Sequence, residues 1–244
     1  VDPSGKAAPI YDGVIDAKRY CGSDPRIMWI LKEPWDDVDS SGGGWSLCSD
    51  LLAQKPVSSL SQSTFHPIIY IAYGLFHGVR SYDMMPWVRD MNDAEDILRR
   101  LAYINAKKLP GVTRGAYAPT IMEWYSRGRD VLHDQIAAYS PDIVFGCSPH
   151  MPAILDDLAA GWQERKQTAG SSDCVWQDDV LFVHVYHPGQ TSISRARYVD
   201  DALSAVALAM QDEQSRTRRW TQRLPAVTSA ACAPVAPSGS RESP

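Results

Sequence analysis

The sequence predicts a three-layer α/β/α sandwich around a central, mainly parallel sheet of four strands. Two observations carry this expectation. Short apolar runs, RIMWIL, LAYIN, IVFG and VLFVHVY, alternate with longer stretches of helical periodicity. Parallel neighbours need a crossover, and the helices that provide it cover both faces of the sheet, so its strands read as continuous apolar runs. Three of the four strand ends also carry polar residues of the kind that build sites at the carboxyl edge of such sheets.

Taken in order, Ile27–Leu31 predicts a strand, Thr64–Val79 a helix and Leu101–Ala106 a strand. Tyr117–Tyr139 follows as a long helix broken near Gly128, then Ile143–Gly146 as a strand and Pro149–Ala160 as a helix. Val180–Tyr186 is the last strand and Arg195–Gln211 the closing helix. A chain of 244 residues, 44% hydrophobic and 22% charged, suffices for one sizeable core. We therefore expect a single domain over residues 1–224. The Pro-, Ala- and Ser-rich stretch 225–244 is expected to be disordered.

Composition narrows the function classes. No apolar run is long enough to span a membrane and no signal pattern opens the chain, so a soluble, cytoplasmic monomer is the expectation. The net charge of −5 excludes a general nucleic-acid coat, and any phosphate binding must be local. Five scattered cysteines, none in a CxxC spacing, predict reduced thiols and imply neither a metal nor a cofactor.

The polar strand ends are KEPWDDVDSSGGGWS after the first strand, INAKKLPG after the second and YHPGQTS after the last. Each alone has a bland explanation as a turn or cap, but their order resembles the uracil-DNA glycosylase superfamily. Lys32-Glu33-Pro34-Trp35 and Gly44-Trp45-Ser46 resemble its first motif. Ile104-Asn105 resembles the strand ending in a base-reading Asn, and Val144-Phe145-Gly146 a later strand with a Gly. His187-Pro188-Gly189-Gln190-Thr191-Ser192 resembles its last motif.

The resemblance implies an enzyme that flips a base out of DNA and hydrolyses its N-glycosidic bond through an oxocarbenium-like sugar. Glu33 would act on the sugar and its water, His187 would donate to the leaving base as a neutral imidazole, and Asn105 would read the base edge. Pro34, Trp35, Gly44 and Trp45 would line the base site, with the three glycines Gly42 to Gly44 leaving room for a phosphate or a large base. Lys107, Lys108, Gln190, Thr191, Ser192, Arg195 and Arg197 would contact DNA.

The chain departs from the family pattern at several of these positions. Lys32 and Glu33 replace Gln and Asp, Trp35 replaces a Tyr that excludes thymine, and Thr191 replaces an apolar wedge, with Ile193 the nearest substitute. Removal of a bulky modified pyrimidine from phage DNA, as a defence, is the version favoured by the glycine loop. Uracil repair, hydrolysis of free nucleosides and a non-catalytic binding module are the alternatives. His66, His77, His133, His150 and His184 read as ordinary structural histidines, and Trp29, Trp87, Trp124, Trp162 and Trp176 as core.

Overall fold

The computed structural model describes residues 7–36, 42–111, 118–148 and 151–214. The expected tail, the basic run Arg216, Arg218, Arg219 and Arg223, and His150 lie outside the described residues.

Seven strands form one mixed sheet: β1 (Gly13–Val14), β2 (Ile27–Leu31), β3 (Leu101–Asn105), β4 (Ile143–Cys147), β5 (Gln167–Ala169), β6 (Ser172–Gln177) and β7 (Val180–Val185). Their order is β1-β3-β2-β4-β7-β6-β5. The four anticipated strands are the central ones and run parallel, β3-β2-β4-β7. The sheet is larger than the expected four strands because antiparallel strands extend both edges, β1 beside β3 and the β5–β6 pair beside β7.

Helices cover both faces. On one face α2 (Gln62–His77), α3 (Ala94–Arg99) and α7 (Arg195–Gln214) pack on Ile27, Trp29, Tyr103, Phe145 and Val183. On the other, α4 (Ala118–Tyr139), α5 (Met151–Leu158), α6 (Trp162–Arg165) and Tyr20 of α1 (Ala17–Cys21) pack on Met28, Ile30, Ile104 and Val144. Every residue of β2, β3 and β4 is buried, as strands covered on both faces require. Trp29 stacks on Phe145 across neighbouring strands, with ring centroids 4.6 Å apart.

Several local expectations change. The helix α4 runs unbroken through Gly128, since one glycine in a 22-residue helix weakens it without ending it. At Gly146 a Cβ would lie 2.4 Å from Met151 Cγ, so glycine lets α5 close onto β4. Trp29 and Trp162 are core, but Trp87 is exposed. Cys48, Cys147 and Cys174 are free and buried, whereas Cys21 is disulfide-bonded and departs from the expectation of reduced thiols. Among the described residues no helix is long and apolar enough to cross a membrane.

Candidate functional site

Strand register brings the three loaded ends together. Leu31 pairs with Asn105, and β4 lies between β2 and β7. Side chains alternate along a strand, and Leu101 and Tyr103 point to the α2/α7 face, so Asn105 does too. Leu31 and Val185 share that face, and Glu33 and His187 each follow two residues on. Glu33 and His187 thus follow two strands that lie two positions apart in the sheet, with β4 between them.

His187 is the best-defined member. Burial, with the Lys32 ammonium as a second cause, pushes its imidazole pKa down to about 4, so the ring is neutral near pH 7. The backbone N–H of Gly189 donates to Nδ1 at 3.2 Å. A neutral imidazole that accepts at Nδ1 carries its proton on Nε2, so the ring presents a fixed donor. Lys32, which tunes this ring, was missed in the sequence. Its signal was adjacency to Glu33 in KEPW.

Glu33 is held from the neighbouring strand. Its Oε2 accepts from Lys107 Nζ at 2.5 Å, and both side chains are about nine-tenths buried. Backbone bonds from Ala106 N to Leu31 O and from Lys107 N to Lys32 O extend the β2–β3 ladder up to this pair. Gly111 completes the seat, because a Cβ there would fall 2.6 Å from Glu33 Oε1. Pro34 is buried beside it, and its carbonyl accepts from Gly111 N. Trp35 bridges to Gly111 through its backbone and is 44% exposed, so its ring stands at the rim instead of flooring the cleft.

Asn105 is enclosed, and Asp12 holds it. Its backbone N donates to Asp12 Oδ2 at 2.7 Å and its Nδ2 lies 3.4 Å from the same oxygen. Lys108 Nζ donates to both Asp12 oxygens and to Gln135 Oε1, and Gln135 Nε2 donates to Asp12 Oδ1. Both cations expected to contact DNA thus have internal partners, Lys107 with Glu33 and Lys108 with Asp12 and Gln135. Nothing in the sequence pairs Asp12 with a motif some 90 residues away.

The glycine loop also differs in its reason. Ala8 N donates to Gly42 O, Gly44 N to Pro9 O, Tyr11 N to Trp45 O and Leu47 N to Tyr11 O. The segment 8–11 is thus zipped along the loop, and a Cβ on Gly43 (φ +100°) would sit 1.9 Å from Ala8 O. The close approach is to the chain's own backbone, not to a phosphate or base. Asp36 Oδ2 accepts from Gly43 N and from Trp45 Nε1, which fixes the indole. We expect Gly43→Ala to lower stability by about 1–3 kcal/mol. Gly44→Ala, where a Cβ would meet only Ala8 Cβ at 3.6 Å, should cost less. Equal losses in thermal unfolding would refute the zipper.

The last motif is rigid. Gln190 accepts from Ile193 N and donates to Ile193 O, so its side chain clips the loop. Ile193 is half-buried and packs against the core, whereas Thr191 and Ser192 are exposed at the tip. Arg195 sits close enough to His66 and Tyr70 to influence both, and Arg197 lies 3.5 Å from Asp201. His184 donates to Ser148 O and is a satisfied structural histidine. Among the described residues no cluster of His, Cys, Asp or Glu has the arrangement of a metal site.

No protein-family model and no curated protein matches the chain. The functional reading therefore rests on the geometry of the cleft.

Proposed function

We propose that the protein is a DNA glycosylase that hydrolyses the N-glycosidic bond of a flipped-out damaged or modified base and leaves an abasic site. The observation that carries this reading is His187: a neutral, half-buried imidazole with its Nε2 proton fixed, at the end of a strand two positions in the sheet from the one that leads to the Glu33 carboxylate. As the sugar–base bond breaks, its electron pair leaves with the base. A donor that strengthens as that negative charge grows lowers the barrier without having to give up its proton.

Glu33 faces the positive sugar. Its Oε2 is taken by Lys107, while Oε1 has no hydrogen bond among the described residues and can orient the water that adds to the sugar carbon. With the glycine loop filled by segment 8–11, the case for a bulky modified pyrimidine, as in phage DNA, rests on Trp35 standing at the rim. The rival reading is a nucleic-acid-binding module without catalysis, and the Glu33–Lys107 pair favours it because it ties up the carboxylate.

The test incubates the protein with oligonucleotides carrying uracil or substituted cytosines, followed by alkaline cleavage. Strand breaks at one modified position are expected. Binding without breaks on every substrate would favour the module.

A further inference from the structure

We infer that Lys32 and Tyr186 form a second nucleic-acid subsite, which takes an unpaired nucleotide next to the flipped one, its base stacked on the phenol ring and its phosphate held by the ammonium; this rests on the reading of the cleft as one that acts on DNA. Strand register sets the two residues in one row. Ile30 pairs with Gly146 and Gly146 with His184, and two residues further on the row continues as Lys32, Ser148 and Tyr186. Side chains alternate along a strand, so this row belongs to the sheet face opposite that of Glu33 and His187. Ser148 is short and enclosed, whereas Lys32 is half-buried and Tyr186 is 38% exposed. The row therefore shows solvent a cation and an aromatic ring.

The reach of the Lys32 charge agrees with this placement. It is felt at the Cys147 thiol and at the His187 imidazole. Cys147 pairs with Val185, so the two influences bracket Tyr186.

Neither side chain has a task inside the molecule. Lys32 makes no hydrogen bond or ion pair among the described residues, whereas Lys107 holds Glu33 and Lys108 holds Asp12. The Tyr186 hydroxyl has no hydrogen bond among the described residues either. Their backbones, by contrast, are held: the Lys32 carbonyl accepts from Lys107 N, and the Tyr186 carbonyl accepts from the Tyr198 hydroxyl at 2.9 Å. A cation for the backbone and a ring for the base are the means by which proteins hold a single strand. A duplex keeps its base faces stacked and offers the ring nothing, so the subsite should favour unpaired DNA.

The experiment measures affinity by fluorescence anisotropy for one unmodified sequence, as a single strand and as a duplex, so that it reads the subsite apart from any chemistry on a base. Wild type is expected to bind the single strand roughly tenfold more tightly. Tyr186→Ala should lose about tenfold on the single strand and little on the duplex, while Tyr186→Phe, which keeps the ring, should stay within about twofold of wild type. Lys32→Met should weaken single-strand binding and flatten the slope of log affinity against log salt by about 0.7, the share of one phosphate contact. If Tyr186→Ala does not fold, the wild-type pair and the Lys32→Met slope decide.

Equal or tighter binding of the duplex by wild type overturns the inference. So does a Tyr186→Ala variant that holds the single strand as wild type does, a Tyr186→Phe variant that loses as much as Tyr186→Ala, or an unchanged salt slope in Lys32→Met. The glycosylase reading fails separately. A single-strand preference that depends on Tyr186, with no abasic sites on any modified strand, would keep the subsite and remove the chemistry; abasic sites without that preference would do the reverse.

Discussion

His187→Ala is expected to slow abasic-site formation roughly a hundredfold while changing DNA affinity by about threefold at most, because the lost donor acts chiefly on charge that develops in the transition state. Single-turnover rates and anisotropy on the same oligonucleotide separate the two effects. A rate within about threefold of wild type would place the chemistry elsewhere. The same residue predicts a stability profile. In the unfolded chain its imidazole titrates near 6.5, and in the fold near 4. Below about 6.5 the unfolded chain takes a proton that the folded chain refuses. The stability contribution is therefore complete above 6.5 and is lost as pH falls towards 4, by roughly 3 kcal/mol in total. Denaturant melts of wild type and His187→Gln between about pH 7 and pH 4 should converge by this amount, and parallel curves would contradict it.

Glu33→Gln is expected to reduce the rate by a comparable factor and also to destabilise the fold, since it strands the Lys107 ammonium in a site where both side chains are about nine-tenths buried. Breaking a buried pair from one side costs roughly 3 kcal/mol. Adding Lys107→Met removes the stranded charge, so the double variant should regain most of the lost stability and none of the lost rate. Recovery of both would make Glu33 a structural residue and would support the binding-module reading.

The central sheet was legible because β2, β3 and β4 are buried throughout and β7 largely so, and all four carry mainly apolar runs. The edges were not. The strand SDCVWQ of β6 mixes polar and apolar residues and turns into β7 through Asp178, which takes a left-handed conformation that no apolar pattern announces. Strand β1 is only two residues long. In the candidate site, Glu33, Asn105 and His187 were legible as residue types at strand ends, but their settings were not. Lys107 and Lys108 read as solvated cations until Glu33 and Asp12 are seen to hold them, and the three glycines read as room for a ligand until Ala8 and Pro9 fill that room. In each case the missing information was a contact between segments far apart in sequence.

That separation bears on the order in which the molecule assembles. Asp12 meets Asn105, Lys108 and Gln135 across 93, 96 and 123 residues of chain, and closing such loops is entropically slow compared with forming a helix or a local hairpin. The parallel core can form without the segment 8–12, which lies outside β2, β3 and β4. The cleft should then be the last part to mature and the first to come apart, opening as a small cooperative unit while the sheet stays protected. In native-state hydrogen exchange, the amide protons of Gly44, Tyr11 and Asn105 should share one opening free energy, well below that of Trp29 or Phe145. A chain caught in that open form would keep its core but lose the contact between Asp12 and Asn105 at the end of β3.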